Sequence, residues 1–154
     1  NEYAIPNANQ GVEQSTMASA MTQDVKPVNN QAHFAQIVKL LRDCADQIEQ
    51  NGYYVKGTGT SWSIMTEGAE KLGVQGTQIS LNETRIKGKL EKGHPIICSV
   101  GPGDFTTEGH FIVLTGYEDG KIKVNDPNCR ARSTLWEYEE LQGQIRNLWA
   151  FEKN

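Results

Sequence analysis

His110 and Asp126 are the residues of this sequence whose types and spacing best suit catalytic chemistry. His110 opens the apolar run "HFIVLTGY", and Asp126 ends the next run, "KIKVND". Two such runs around a glycine turn predict the strands of a hairpin. An Asp beside a His holds the imidazole in one orientation and stabilises its charged form, which is what a Cys–His or Ser–His nucleophile needs. The alternative is structural: a hydrogen-bonded His at a strand edge and an Asp that caps the "NDPN" turn.

The turn of the hairpin decides whether the two side chains meet. A three-residue loop at 118–120 would pair Tyr117 with Lys121 and place His110 and Asp126 on one face as diagonal neighbours, about 7–8 Å apart between backbones. The same face would carry Ile112, Leu114, Ile122 and Val124, with Leu114 paired to Val124. A two-residue Asp–Gly turn would shift the register by one and separate the pair. We predict the three-residue loop, because it keeps the lysines of the second strand off the apolar face.

Bulk properties limit the class of protein. The chain has 154 residues, which predicts a single domain over 1–154. Apolar residues are 37% and charged residues 22%, a globular balance. The net charge of -4 and the lack of a basic stripe argue against nucleic acid binding, and no apolar run reaches the roughly 18 residues of a membrane span. The first ten residues lack the features of a signal peptide, so we expect either a removed signal or a domain of a longer protein.

Hydrophobic spacing predicts that helices come first and an antiparallel sheet follows, an α+β layout. We expect helices over 13–22, from Asn30 to Gly52, from Thr60 or Ser61 to about Leu72, over about 81–92 with a Ser80–Glu83 capping box and Gly93 at its end, and near 138–145. We expect strands at "TQIS" and over 95–100, 110–117, 121–126 and 147–152. The glycine loop at 101–109 could act as a flap over a peptide or as a plain surface loop.

Three cysteines are too few for a disulfide framework, and their spacing fits no zinc pattern. Cys44 lies on the apolar face of a predicted helix and Cys98 inside a predicted strand, so both are expected to be buried and inert. Cys129 lies in a polar loop beside Arg130 and Arg132, which favours a thiolate. Nothing in the sequence requires a metal ion or an organic cofactor.

The stretches "NGYYVKGTGTSW", "ICSVGPGDFTTEGHFIVLTGY" and "KIKVNDPN" together resemble the bacteriocin-processing, double-glycine leader type of papain-like cysteine peptidase, in its secreted bacterial branch. The resemblance extends over essentially the whole chain. It implies a papain-like α+β fold, with N-terminal helices packed on a C-terminal antiparallel sheet. It also implies a Cys on the first helix, a His at the start of a strand and an Asp or Asn at the end of the next. His110 and Asp126 match the last two positions.

The stretch that matches the nucleophile motif is "GVEQSTMASAM", and it departs from the family at Val12. Gly11 and Glu13 fit the motif, but Val12 stands where the resemblance implies the Cys. A valine side chain has neither a proton to lose nor a lone pair with which to attack. Gln10 matches the family's oxyanion donor in type. It lies only two residues before Val12, closer than the family spacing.

Three hypotheses follow from the resemblance and the departure. The first is a non-catalytic relative that binds a peptide or protein in its cleft without cutting it. The alternative is an active Cys–His–Asp peptidase, in which Val12 replaces a native Cys or the first twenty residues align differently. The third is an accessory module of a larger secreted or surface protein. All three predict an extracellular or cell-surface location in a bacterium.

Overall fold

A computed structural model describes residues 31–46, 54–55, 59–60, 65–71, 73–107, 109–126 and 129–153. In chain order the elements are α1 (Gln31–Asp46), β1 (Tyr54–Val55), β2 (Gly59–Thr60), α2 (Glu67–Glu70), β3 (Val74–Ile79), α3 (Glu83–Glu91), β4 (Ile96–Val100), β5 (His110–Glu118), β6 (Lys121–Asn125), a 3-10 helix (Arg130–Arg132), β7 (Leu135–Trp136), α4 (Tyr138–Gln142) and β8 (Ile145–Lys153). The helix predicted over 13–22 lies outside these residues. No helix within the described ranges is long and apolar enough to cross a membrane.

The centre of the fold is a six-stranded sheet in the order β3-β8-β4-β5-β6-β7. Every neighbouring pair in it is antiparallel. The strands predicted after position 95 are all present, and the predicted α+β class is confirmed. The sheet places the start of β5 and the end of β6 side by side.

Both faces of the sheet contribute to the core. On one face, Ile86 and Leu90 of α3 pack against apolar side chains of four strands: Ile96, Cys98, Ile112, Leu114, Ile122, Val124, Leu148 and Ala150. Helix α1 buries four side chains at the predicted helical spacing, Phe34, Ile37, Val38 and Leu41, and contacts β3 and β8. Each buried aliphatic or aromatic side chain contributes about 1.5–3 kcal/mol, so these contacts hold the sheet in place.

Helix α3 ends as predicted but begins with a different cap. Gly93 has φ +83°, its N–H donates to the Leu90 carbonyl at 3.0 Å, and the His94 N–H donates to the Lys89 carbonyl at 3.0 Å. This is the Schellman arrangement that glycine favours. The predicted Ser80 capping box is wrong, because the helix starts at Glu83 and the Asn82 side chain accepts the Arg85 N–H at 3.0 Å. Asn82 has the extended backbone of an N-cap residue.

The structure describes only part of the third predicted helix. It was predicted to start at Thr60 or Ser61, but Gly59–Thr60 forms strand β2 and pairs with Tyr54–Val55. The α-helical residues described in the predicted range are Glu67–Glu70, and residues 61–64 lie outside the described ranges. Backbone pairing with β1 therefore overrides the capping preference of Thr60.

The β5–β6 hairpin corrects the predicted turn. Asp119 and Gly120 both have positive φ, +54° and +77°, and form a two-residue turn that pairs Glu118 with Lys121. The predicted pairing of Tyr117 with Lys121 is therefore wrong. Two consecutive positive φ values match the right-handed twist of a hairpin, so the local Asp–Gly pair favours the tighter turn.

A β-bulge then restores the register that the three-residue loop would have produced. The register shifts between Leu114 and Gly116, so Thr115 is the extra residue. Beyond it, Leu114 pairs with Val124 as predicted, and Val113 pairs with Asn125. The turn shifts the register by one and the bulge shifts it back. The His at the start of β5 and the Asp after β6 consequently share a face.

Candidate functional site

His110 and Asp126 are in direct contact. His110 Nε2 lies 2.8 Å from Asp126 Oδ1, and the two side chains are 3% and 0% exposed. His110 is the first residue of β5, and Asp126 follows the last residue of β6. Because an ionised carboxylate only accepts hydrogen bonds, the imidazole donates from Nε2 when Asp126 is charged. In the neutral ring, Nδ1 is then the nitrogen that can accept a proton.

The second carboxylate oxygen of Asp126 is bound by Arg132. Arg132 Nε donates to Asp126 Oδ2 at 2.9 Å. This hydrogen bond raises the pKa of the Arg132 guanidinium above its ordinary value. The 3-10 helix at Arg130–Arg132 turns the chain back towards β6 and brings this guanidinium to the carboxylate. The buried charge of Asp126 therefore has a cation beside it.

Ser133 fixes the backbone on which this pair depends. The Asp126 N–H donates to Ser133 Oγ at 2.8 Å. The Ser133 hydroxyl lies 3.2 Å from the Asp126 carbonyl oxygen and 3.1 Å from the Cys129 carbonyl oxygen, so either can accept its proton. The Cys129 N–H also donates to the Asp126 carbonyl, at 3.2 Å. These bonds hold Asp126 from both sides of its peptide backbone.

The glycine loop at 101–107 is held by Gln144, which is 9% exposed. Gln144 Oε1 accepts the Asp104 N–H at 2.7 Å, and Gln144 Nε2 donates to Asp104 Oδ2 and to the Glu140 carbonyl, both at 2.8 Å. A Cβ added to Gly103 would lie too close to Gln144 Oε1, so a side chain there would require the Gln144 amide to shift. The loop just before His110 is thus fixed by side-chain hydrogen bonds, and the sequence contains no motif that indicates it.

Aromatic contacts connect this loop to the Arg132 segment. The rings of Phe105 and Trp136 are 4.8 Å apart between centroids and tilted by 46°. Trp136 Nε1 donates to the Arg132 carbonyl at 2.8 Å. Trp136 is half-buried, whereas Trp149 is 2% exposed and belongs to the core. Trp136 therefore lies beside this site, and Trp62 falls outside the described residues.

The two cysteines whose side chains the structure describes are Cys98 and Cys129, and neither forms a hydrogen bond with His110 among the described residues. Cys98 is fully buried in β4, and burial raises the pKa of its thiol far above the ordinary value, so it is chemically inert as predicted. Cys129 is a free, half-buried thiol in the loop after Asp126. Cys44 lies in α1, but its side chain is outside the description. Val12 and Gln10, the predicted nucleophile position and oxyanion donor, also lie outside it.

The described side chains support proton-transfer chemistry without indicating a metal centre. Within the described ranges, no group of three or more His, Cys, Asp or Glu side chains could hold a metal ion. What the residues form instead is a histidine whose one nitrogen is bound by a buried carboxylate. Such a ring can accept a proton at its other nitrogen and become an imidazolium stabilised by the carboxylate.

Comparison with known proteins places this geometry in a known fold. A sequence model described as the Peptidase_C39 like family matches residues 6–152. No curated protein matches the chain. The peptidase domain of Streptococcus ComA, described as a bi-functional ABC transporter involved in a quorum-sensing pathway, matches over 99% of each chain at 17% identity and a TM-score of 0.55. A double glycine motif protease from an AMS/PCAT transporter, solved with the leader peptide, matches at 16% identity and a TM-score of 0.52, over 85% of this chain and 93% of that one.

Proposed function

Because the chain belongs to the Peptidase_C39 like family, we propose that it is a peptide-binding domain that keeps the base and the orienting group of a cysteine peptidase and lacks the nucleophile. The buried contact of 2.8 Å between His110 and Asp126 supports the retained half of the site. The observation that carries the proposal is Val12, which stands where the family resemblance implies a cysteine. In this proposal His110 serves as a hydrogen-bonding group of the cleft.

The proposed ligand is a peptide of the leader type. The double glycine motif protease that shares the fold was solved in complex with its leader peptide. Here the fixed glycine loop and the half-buried Trp136 lie next to the Asp126–Arg132 pair. A rigid loop and an aromatic side chain are suited to hold an extended peptide, since little conformational entropy is lost on binding. We place the domain outside the cell or at the cell surface, as part of a larger protein.

The alternative function is active hydrolysis by Cys–His–Asp chemistry, in which Val12 replaces a native Cys or the first twenty residues align differently. The observation that favours it is the complete support of the His–Asp pair, with Arg132 on the second carboxylate oxygen and Ser133 on the backbone. Burying an ion pair does not by itself stabilise a protein, because desolvation offsets the Coulomb attraction. A binding domain has no evident chemical need of such an arrangement, whereas a general base has.

A substitution at position 12 separates the two functions. The ligand is a synthetic leader-type peptide with a Gly–Gly pair, and binding is measured by fluorescence anisotropy and cleavage by mass spectrometry. The protein without substitutions is expected to bind the peptide and leave it intact. Val12→Cys is expected to cleave after the glycines, because loss of a nucleophile elsewhere costs on the order of 10⁶ in rate. Val12→Ala is the matched control, since it changes the side chain without adding a thiol.

His110→Ala in the Val12→Cys background is expected to abolish the restored cleavage, which ties the activity to this site. Binding that persists in the absence of any cleavage by Val12→Cys would limit the domain to recognition. If the protein without substitutions cleaves the peptide and a thiol-directed inhibitor blocks this cleavage, the proposal is wrong and the alternative function holds. No binding together with no cleavage by Val12→Cys would reject both.

A further inference from the structure

Arg132 lies one step beyond the His–Asp pair, and its position suggests a role that the pair alone does not explain. Its Nε is 2.9 Å from Asp126 Oδ2, on the opposite carboxylate oxygen from His110. We propose that Arg132 is a positioning residue: its charge keeps Asp126 ionised, and the ionised Asp126 fixes His110 in the tautomer that carries the proton on Nε2. The inference deepens the proposed function, and it rests on that function only for what His110 does with the ligand.

The contact between His110 and Asp126 does not by itself determine the tautomer. Two arrangements satisfy the 2.8 Å distance between Nε2 and Oδ1. In one, an ionised Asp126 accepts a proton from Nε2–H. In the other, a protonated Asp126 donates to Nε2, and the neutral ring carries its proton on Nδ1. The charge state of the carboxyl group therefore selects the tautomer.

Burial favours the second arrangement and Arg132 favours the first. The Asp126 side chain is 0% exposed, and a carboxylate taken out of water without compensation tends to take up a proton. A guanidinium remains charged at every physiological pH and only donates hydrogen bonds. At 2.9 Å from Oδ2 it favours the charged form of the carboxyl group. The position of Arg132 thus offsets the effect of burial.

The surrounding contacts hold Arg132 in this place. Its side chain is 36% exposed, so the guanidinium is reached by solvent while its Nε stays on the carboxylate. The Trp136 indole N–H donates to the Arg132 carbonyl. The next residue, Ser133, accepts the Asp126 N–H with its hydroxyl oxygen. Arg130 is two residues away in the same 3-10 helix and is exposed. Arg130 therefore provides a matched control for the loss of one positive charge.

The tautomer decides what His110 can do. With the proton on Nε2, Nδ1 has a lone pair and can accept a proton from a thiol or a hydrogen bond from a peptide N–H. With the proton on Nδ1, the same nitrogen is a donor and cannot act as a base. In a hydrolase triad, the wrong tautomer lowers kcat by about 10⁴ while the geometry stays intact. Arg132 would thus control the function of a ring that it does not touch.

The experiment detects the His110 tautomer directly and does not require catalytic activity of the protein. Long-range ¹H–¹⁵N correlation spectra of the uniformly ¹⁵N-labelled full chain, recorded at a pH where the ring is neutral, show which ring nitrogen carries the proton. The His110 signals are assigned by their loss in His110→Asn. We expect the Nε2–H pattern for His110 in the protein without substitutions. Arg132→Gln keeps a donor near Oδ2 but removes the charge, and we expect it to move the population to the Nδ1–H form. Arg132→Lys and Arg130→Gln are expected to keep the Nε2–H pattern.

Two results overturn the proposal. The first is an Nδ1–H pattern for His110 in the protein without substitutions. The second is an unchanged Nε2–H pattern in folded Arg132→Gln. Circular dichroism establishes that each variant is folded. If Arg132→Gln fails to fold, Arg132→Lys decides, because a loss of the Nε2–H pattern in that charged variant would contradict the proposal and its retention would support it.

A kinetic arm applies if Val12→Cys has activity. In that background Arg132→Gln is expected to lower kcat roughly tenfold or more with little change in KM, because the effect lies in the base and not in peptide binding. Arg132→Lys is expected to restore most of kcat. Failure of Val12→Cys both to bind and to cleave the peptide would count against the proposed function, while the NMR result would still decide the role of Arg132.

Discussion

At the scale of single residues, burial decides which cysteine can react. Cys98 lies in the middle of β4, fully buried among apolar side chains, and its thiol pKa is raised. The thiolate is the reactive form, so a raised pKa means less of that form at any given pH. Cys129 is half-buried in a loop and is a free thiol. The two residues therefore form an internal comparison.

We predict that iodoacetamide at about pH 8 labels Cys129 in the native protein and leaves Cys98 unlabelled, because Cys129 is half-buried and accessible whereas Cys98 is fully buried. Peptide mapping by mass spectrometry measures both sites in one sample. In denaturant, where burial is lost, both should label at similar rates. Native labelling of Cys98 at the rate of Cys129 would contradict the burial of β4.

At the scale of secondary-structure elements, the β5–β6 hairpin controls the geometry of the site. Its turn uses two residues with positive φ, and its bulge at Thr115 compensates the resulting shift of register. Gly120 has φ +77°, and a Cβ there would meet nothing within 4 Å. The requirement for glycine at this position is therefore conformational and not steric. Gly88 of α3 is also open to a Cβ, but it has an ordinary helical backbone.

We predict opposite effects of the same substitution at these two glycines. Gly120→Ala should destabilise the protein by about 1–2 kcal/mol, because a Cβ is unfavourable in the left-handed region. Gly88→Ala should stabilise it by about 0.5–1 kcal/mol, because alanine loses less entropy in a helix. Urea denaturation followed by circular dichroism measures both. A stabilising Gly120→Ala would show that the turn does not have the backbone described here.

At the scale of the whole molecule, the last strand joins the sheet to its earlier part. Strand β8 lies between β3 and β4, so that Val74 pairs with Lys153 and Ile96 pairs with Ala150. Trp149 of β8 is buried in the core. The end of the described chain thus joins the edge strand β3 to the rest of the sheet.

We predict that urea unfolds the chain in one cooperative transition, as the expected single domain over 1–154 requires. Tryptophan fluorescence reports on Trp149 in β8 and Trp136 beside the site, and far-ultraviolet circular dichroism reports on the helices and strands together. The two curves should coincide. Separate transitions would mean that the site and the β3–β8 side of the sheet unfold independently, contrary to a single domain.

Much of the sheet and part of the site could be predicted from the sequence. Alternating and continuous apolar runs identify the strands, because side-chain burial has a local period. Gly93 at the end of α3 was predicted correctly for the same local reason, its freedom to adopt positive φ. The contact between His110 and Asp126 was also predicted, and the structure has it at 2.8 Å. Their role in catalysis or binding stays a prediction, as do the roles of Val12 and Gln10.

Residue type and local period were determined by the sequence itself, which placed a histidine at the start of one strand and an aspartate after the next. Only the tertiary structure decided the contacts between distant segments. The turn was predicted wrongly, and the site register was recovered by a bulge at Thr115 that no local pattern announces. Arg132 on the second oxygen of Asp126 and Gln144 in the glycine loop were not found as site residues. Such contacts depend on how the sheet and its loops pack together, a property of the whole fold that no short window of residues contains.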